Sequence, residues 1–275
     1  MSLTLTPLTA IIIACLAGGA LSVLAAAGTL ALHSRWISPL VSFAVGALLG
    51  AVFLELLPHA LEHGATERVM LTVLIGLLLF FLLEKLVLWR HSHLEAESLA
   101  EGASLIGVAT ENATADAPPH SHGFDGGRSG LMILIGNSVH NFCDGIVIAA
   151  TFIADFTLGT TTALAIVAHA IPQQVGDFAV LLHSGYTRRR AFAYNLATGA
   201  ATLVGGLAGY AALASMQEVL PTVLALAAAS LLYVAVADLI PSLHRHPSPG
   251  DTARQLALIG VGVAIIAIAH VVLER

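Results

Sequence analysis

Charge is scarce in this sequence. Asp, Glu, Lys and Arg make up 10% of its 275 residues, against about 25% in a soluble domain, so a soluble fold is not expected. The 11 Lys and Arg, set against 17 Asp and Glu, leave a thinly spread net charge of -6, which excludes the concentrated basic face that binds nucleic acid. Cysteine is confined to Cys15 and Cys143, both inside apolar runs, where no small secreted domain needs a disulfide framework. No Lys or Arg precedes the first apolar run, from about Pro7 to Leu32. That run is also too long for a signal peptide and is expected to be a retained first span. The His-Glu-x-x-His signature of zinc hydrolases is missing as well.

Apolar residues, in contrast, fill 57% of the chain. A bilayer core about 30 Å thick needs roughly 20 of them per helix. Charge, Pro and Gly cut the sequence into eight apolar stretches, at about 8–32, 36–60, 69–89, 130–153, 158–184, 191–214, 219–243 and 254–273. The expected fold is an all-α integral membrane protein of eight transmembrane helices. Lys and Arg stay on the cytoplasmic side of short loops. With the N-terminus outside, nine of them lie at inner ends (Arg35, Lys85, Arg90, Arg128, Arg188, Arg189, Arg190, Arg245 and Arg254) and only Arg68 and Arg275 at outer ends. Both termini are therefore expected outside.

The chain divides into spans one to three over 1–90, a connection over 91–128, and spans four to eight over 129–275. The connection turns to Glu, Ser, Ala and Pro and is read as flexible and cytoplasmic. It carries His91, His93, His120 and His122 as two His-Ser-His pairs, which can capture metal or be ordinary surface histidines. Asn112-Ala113-Thr114 matches a glycosylation acceptor but falls on the inner side, where it is taken as chance.

Two polar clusters interrupt the apolar spans. The fourth contains Gly136-Asn137-Ser138-Val139-His140-Asn141-Phe142-Cys143-Asp144-Gly145 at its midpoint. An Asp at a helix centre costs about 2.5–3.5 kcal/mol on insertion, against a gain of about 0.3–0.6 for each Leu, Ile, Val or Phe. His140 and Asp144 are four apart and share a helix face, flanked by Asn137 and Asn141. Imidazole nitrogen with carboxylate oxygen suits zinc and its first-row neighbours. The fifth span repeats the device in His169-Ala170-Ile171-Pro172-Gln173-Gln174-Val175-Gly176-Asp177, with Pro172 expected to loosen the backbone. A short turn makes these spans antiparallel neighbours, so His140, Asn141, Asp144, His169 and Gln173 are expected to meet at mid-membrane as metal ligands. The competing reading is interhelical hydrogen-bond glue. Glu55 and Asp238 are candidates for a transport path; His59, beside Pro58, is equally a boundary residue, and Glu84 is read as a local pair of Lys85.

The clusters resemble the ZIP (Zrt/Irt-like) family of metal transporters, whose fourth-span motif His-Asn-x-x-Asp-Gly is matched from His140 to Gly145. The fifth-span motif of its histidine-rich branch, His-Glu-x-Pro-His-Glu-x-Gly-Asp, is matched at His169, Pro172, Gly176 and Asp177 but departs at Ala170, Gln173 and Gln174, and Asn137 stands where members often have Asp. The resemblance covers nearly the whole chain and implies a 3+2+3 bundle. It further implies one or two metals held between the fourth and fifth spans, and an elevator in which spans one, four, five and six slide against the rest, which puts Asp177 along the release route as a candidate for the transport path. Two adjacent dications need several carboxylates to limit their repulsion, so a second central metal is expected to be weak or absent here. The implied function is transport of Zn2+ toward the cytoplasm, with Cd2+, Fe2+, Mn2+ and Co2+ also admitted, no resident cofactor and no enzymatic activity. The expected partners are the metal cargo and the lipid bilayer, with a homodimer left open. The expected location is the cell membrane, the inner one in a bacterium. A metal sensor or transport-deficient homologue is the alternative, and a zinc-dependent membrane hydrolase a more distant one.

Overall fold

The computed structural model describes residues 6–28, 37–106, 128–244 and 249–274, with side chains placed except at 26–27, 87–106, 128–133 and 183. All regular structure among the described residues is helical. The order is α1 (Pro7–Gly28), α2 (Ile37–Gly50), α3 (Leu57–His63), α4 (Thr66–Ile106), α5 (Arg128–Ala154), α6 (Phe156–His183), α7 (Arg188–Leu213), α8 (Leu220–Tyr233), α9 (Ile240–Leu243) and α10 (Pro249–Leu273). In lipid each backbone N–H and C=O must be satisfied within its own segment, and for long apolar runs the helix does this. Outward faces are apolar, with Leu78, Phe81, Leu256 and Ile268 all exposed, as a lipid-facing surface requires.

Among the described residues, seven stretches are long and apolar enough to cross a membrane, and they match the expected spans one to three and five to eight. The helix expected as the fourth span, α5, is 27 residues long and is not among the seven; its apolar run is broken by Asn137, Ser138, His140, Asn141 and Asp144. The chain is a multi-helix integral membrane protein.

Packing fixes the helix directions. Parallel α5 and α7 bring Phe142 to Gly205, Gly145 to Gly206 and Ile146 to Gly209. Parallel α2 and α10 bring Gly46 to Ile259, Gly50 to Val263 and Ile266, and Glu55 to His270. Parallel α4 and α8 bring Gly76 to Leu226 and Ala229, and Phe80 to Tyr233. The α1 helix runs against α7, with Ile11 and Cys15 at Gly206 but Gly19 and Val23 at Gly199. Glycine at these crossings lets backbones approach closely where no solvent drives helices together.

Two helices widen locally. The turns Ala51–Leu56 and Val234–Leu239 are π-helical, and the backbone N–H groups of Leu57 and Ile240 reach back five residues, to Val52 and Ala235. Pro58 and Pro241 follow directly. A proline ring clashes with the carbonyl four residues earlier, and a widened turn relieves the clash. Each widened turn carries one acid, Glu55 or Asp238, three residues before its proline.

Two expectations change. Helix α4 does not end near 90 but runs 41 residues to Ile106, about 60 Å at 1.5 Å per residue, while its apolar, membrane-length part is Thr66–Leu86. His91 and His93 lie on the helix beyond this part, their side chains outside the described set, and His120 and His122 lie outside the described residues. Glu84 accepts a hydrogen bond from the Tyr233 hydroxyl, bridging α4 to α8, while the Lys85 ammonium sits 6.0 Å from the Phe81 ring centre.

Candidate metal centre

Asp155 alone separates α5 from α6. Its backbone is extended and its Oδ1 accepts a hydrogen bond from Leu158 N at 2.8 Å, capping α6 and turning the chain back on itself. Antiparallel pairing then sets Asp144, eleven residues before the turn, beside His169, fourteen after it. The α6 helix continues through Pro172.

Three side chains converge at this depth. Asp144 Oδ2 lies 3.4 Å from His140 Nε2 and 3.3 Å from His169 Nε2, and the two imidazole nitrogens are 3.3 Å apart. The Asp144 and His169 side chains are 2% and 1% exposed and that of His140 is 22% exposed, so the cluster opens on the His140 side only. Zinc binds such atoms at about 2.0–2.1 Å, and the corners of a tetrahedron of that radius are about 3.3–3.4 Å apart. The observed triangle has the size of one face of that tetrahedron. His169 Nδ1 faces the Ala165 carbonyl at 3.3 Å; a carbonyl can only accept, so Nδ1 carries the proton and Nε2 turns its lone pair to the triangle. Such a set of electron-pair donors around one point fits a cation, and the same three residues are the group of His, Cys, Asp and Glu side chains, among the described residues, placed to hold one.

The remaining candidates are arranged around this triangle. The Asn141 carboxamide oxygen accepts from the Thr202 hydroxyl at 3.4 Å and its nitrogen donates to the Asn137 carbonyl at 2.8 Å, so it ties α5 to α7. Gln173 donates to the Asn137 side-chain oxygen at 3.5 Å, one turn from the triangle. Gln174 donates to Thr198 at 3.3 Å, and Asn195 donates to the Gln174 carbonyl at 2.9 Å. The sequence left ligand and glue open for the polar groups of both spans; the structure bonds Asn141 and Gln174 between helices and gathers His140, Asp144 and His169 at a point.

Asp177, buried on α6, lies beside Asn137. Asp238 is close enough to His140, His169 and Asp177 to act on each electrostatically. Glu55 stands apart from this group and meets His270 instead of His59, whose ring stacks on His63 at 4.5 Å. The sequence did not single out His270 or the α7 partners Asn195, Thr198 and Thr202. A lone imidazole near the end of an apolar helix has no motif, and small polar residues within spans are common.

The model of a family described as "ZIP Zinc transporter" matches residues 1–270. Zinc transporter ZIP13 of Pongo abelii is 30% identical over 84% of this chain and 66% of its own length. Zinc transporter ZIP5 of Homo sapiens is 34% identical over 85% of this chain, and zinc transporter ZIP4 of Homo sapiens 31% over 76%. The chain spans just under two thirds of that ZIP13, and 52% and 39% of the length of those ZIP5 and ZIP4 proteins. With a family match over nearly all its length and a buried His-Asp-His triangle in the matched helices, the chain belongs to the ZIP zinc transporter family, whose members are transporters and not enzymes.

Proposed function

We propose that this protein carries a divalent transition metal, zinc foremost, toward the cytoplasm through a mid-membrane site formed by His140, Asp144 and His169 on α5 and α6. The zinc-sized triangle of electron-pair donors carries the reading. Gln173 or water supplies the fourth position, Gln173 by turning its carboxamide away from Asn137. One central metal is the expected load, since Ala170 brings no ligand, Gln173 and Gln174 bring no charge, and two adjacent dications need several carboxylates. Asp177, on α6, and Asp238, on the widened turn after α8, continue the route. Eight crossings with both termini outside agree with the alternating helix directions and with the nine-to-two split of Lys and Arg. Motion of α1, α5, α6 and α7 as one body against the remaining helices supplies the alternating access.

Uptake into proteoliposomes across a panel of Zn2+, Cd2+, Fe2+, Mn2+ and Co2+ tests the carrier. Zinc flux that is lost in His169→Ala supports it; zinc binding without flux marks a sensor or transport-deficient homologue. Anomalous scattering from a zinc-soaked crystal should show one central metal, and two fully occupied ones would overturn the single-site reading. Asp177→Ala should slow uptake with central binding retained; unchanged uptake removes Asp177 from the route.

A further inference from the structure

Glu55 has no place in the triangle and yet is a carboxylate with 3% of its side chain exposed, inside a span. Among the described residues its Oε1 is buried with no hydrogen-bond partner. Its Oε2 lies 3.0 Å from His270 Nδ1, yet that nitrogen makes no aligned hydrogen bond. On the other side of the imidazole, Nε2 lies 3.3 Å from Glu274 Oε1. Imidazole has one proton to give when neutral; with that proton on Nε2, toward the outer carboxylate, the Nδ1 lone pair faces Glu55. Two electron-pair donors then oppose each other at 3.0 Å, a gap that either a shared proton or a metal cation fills, and the second buried Glu55 oxygen, which no proton donor meets, favours the metal.

We infer that Glu55 and His270 form a second divalent-metal site, separate from the central one, with Glu274 orienting the His270 ring from behind. A carboxylate that hydrogen-bonds the far nitrogen of a ligating histidine sets its tautomer and raises its basicity. Glu55 can bind through both oxygens, since its Oε1 is uncommitted, and water completes the shell from the His270 side, which is 35% exposed. Two features hold the site in register. Close packing of Gly46 and Gly50 on α10 aligns the parallel helices, and the π-helical turn Ala51–Leu56 sets the aim of Glu55.

Asp155 is close enough to act on Glu55 electrostatically, which places the pair at the end of the bundle where α5 turns into α6. Asp144 lies eleven residues, about 16 Å of helix, from that turn. The site holds a hydrated divalent cation with only two protein ligands, so it binds and releases more readily than the three-ligand centre. Its use as a station for cargo rests on the carrier reading; the binding itself does not.

Equilibrium dialysis of the purified full chain against radioactive zinc tests the site. Wild type is expected to bind two ions. His169→Ala should remove the tighter one, and Glu55→Gln, which keeps the shape, should remove the weaker one. Glu274→Gln should keep the ion and weaken it about 10- to 100-fold, as expected for a group behind a ligand. Thermal unfolding of each variant confirms the fold. A folded Glu55→Gln protein with undiminished zinc would overturn the inference, leaving Glu55 and His270 joined by a proton alone. If His169→Ala loses no zinc while Glu55→Gln does, the central reading fails and this one stands.

Discussion

Asp144 is the residue whose environment constrains the others most. A carboxylate at this depth is costly by about 2.5–3.5 kcal/mol, and both imidazoles of the triangle are turned to it. Asp144→Asn removes the only carboxylate of the triangle while preserving volume. Loss of a group behind a ligand costs about 10- to 100-fold in metal affinity, so if Asp144 holds the metal as proposed, its loss should cost more than about 100-fold, read as zinc affinity of the purified protein. A ligand at 100 times its Kd stabilises the folded state by about 2.7 kcal/mol, so the zinc-dependent rise in unfolding temperature should shrink in the same variant. Thr198→Val makes a contrasting change: it removes the acceptor of the Gln174 amide at nearly constant shape. Interhelical hydrogen bonds in membranes average about 0.6 and reach about 1.7 kcal/mol, and a loss within that range is expected in detergent unfolding, with central zinc binding intact. The spacing of His140 and Asp144 was legible in the sequence because a helix imposes it. The orientation of Gln173 toward Asn137, and of Asn141 toward Thr202, was not, because a carboxamide chooses among partners that only packing supplies.

At the scale of elements, the crossing of α5 and α7 positions the site. A Cβ on Gly205 would collide with the Phe142 carbonyl, a backbone atom that cannot turn aside. Gly205→Ala should therefore force the helices apart, lowering the yield of folded protein and its unfolding temperature. Gly260 on α10 has open space around it, and Gly260→Ala should be neutral or gain up to about 1 kcal/mol from helix propensity. If both substitutions behave alike, close packing at the α5–α7 crossing is not what fixes α5. The apolar spans were readable from hydropathy, but the widened turns at Glu55 and Asp238 were not. Pro58 and Pro241 signalled a local disturbance without saying whether the helix would break, bend or widen.

For the whole molecule, opposite helix directions for successive spans place the two described ends on one face of the bundle. In a background lacking Cys15 and Cys143, Thr6→Cys and Glu274→Cys should react with a membrane-impermeant thiol reagent from outside, and Ser98→Cys only after permeabilisation. The opposite pattern would reverse the orientation read from Lys and Arg. By itself the sequence determined that the chain is helical and membrane-embedded, that metal-ligating groups lie at the middle of two adjacent spans, and that its motifs are those of the ZIP family. These follow from lipid, which leaves the backbone few choices, and from helical spacing, which is local. The tertiary structure decided which polar groups gather around a point and which bridge helices, and it brought His270 to Glu55 across more than two hundred residues of chain. Such pairings depend on how close two helices approach and in what register, and that is set by the glycines at their crossings rather than by any pattern within either helix.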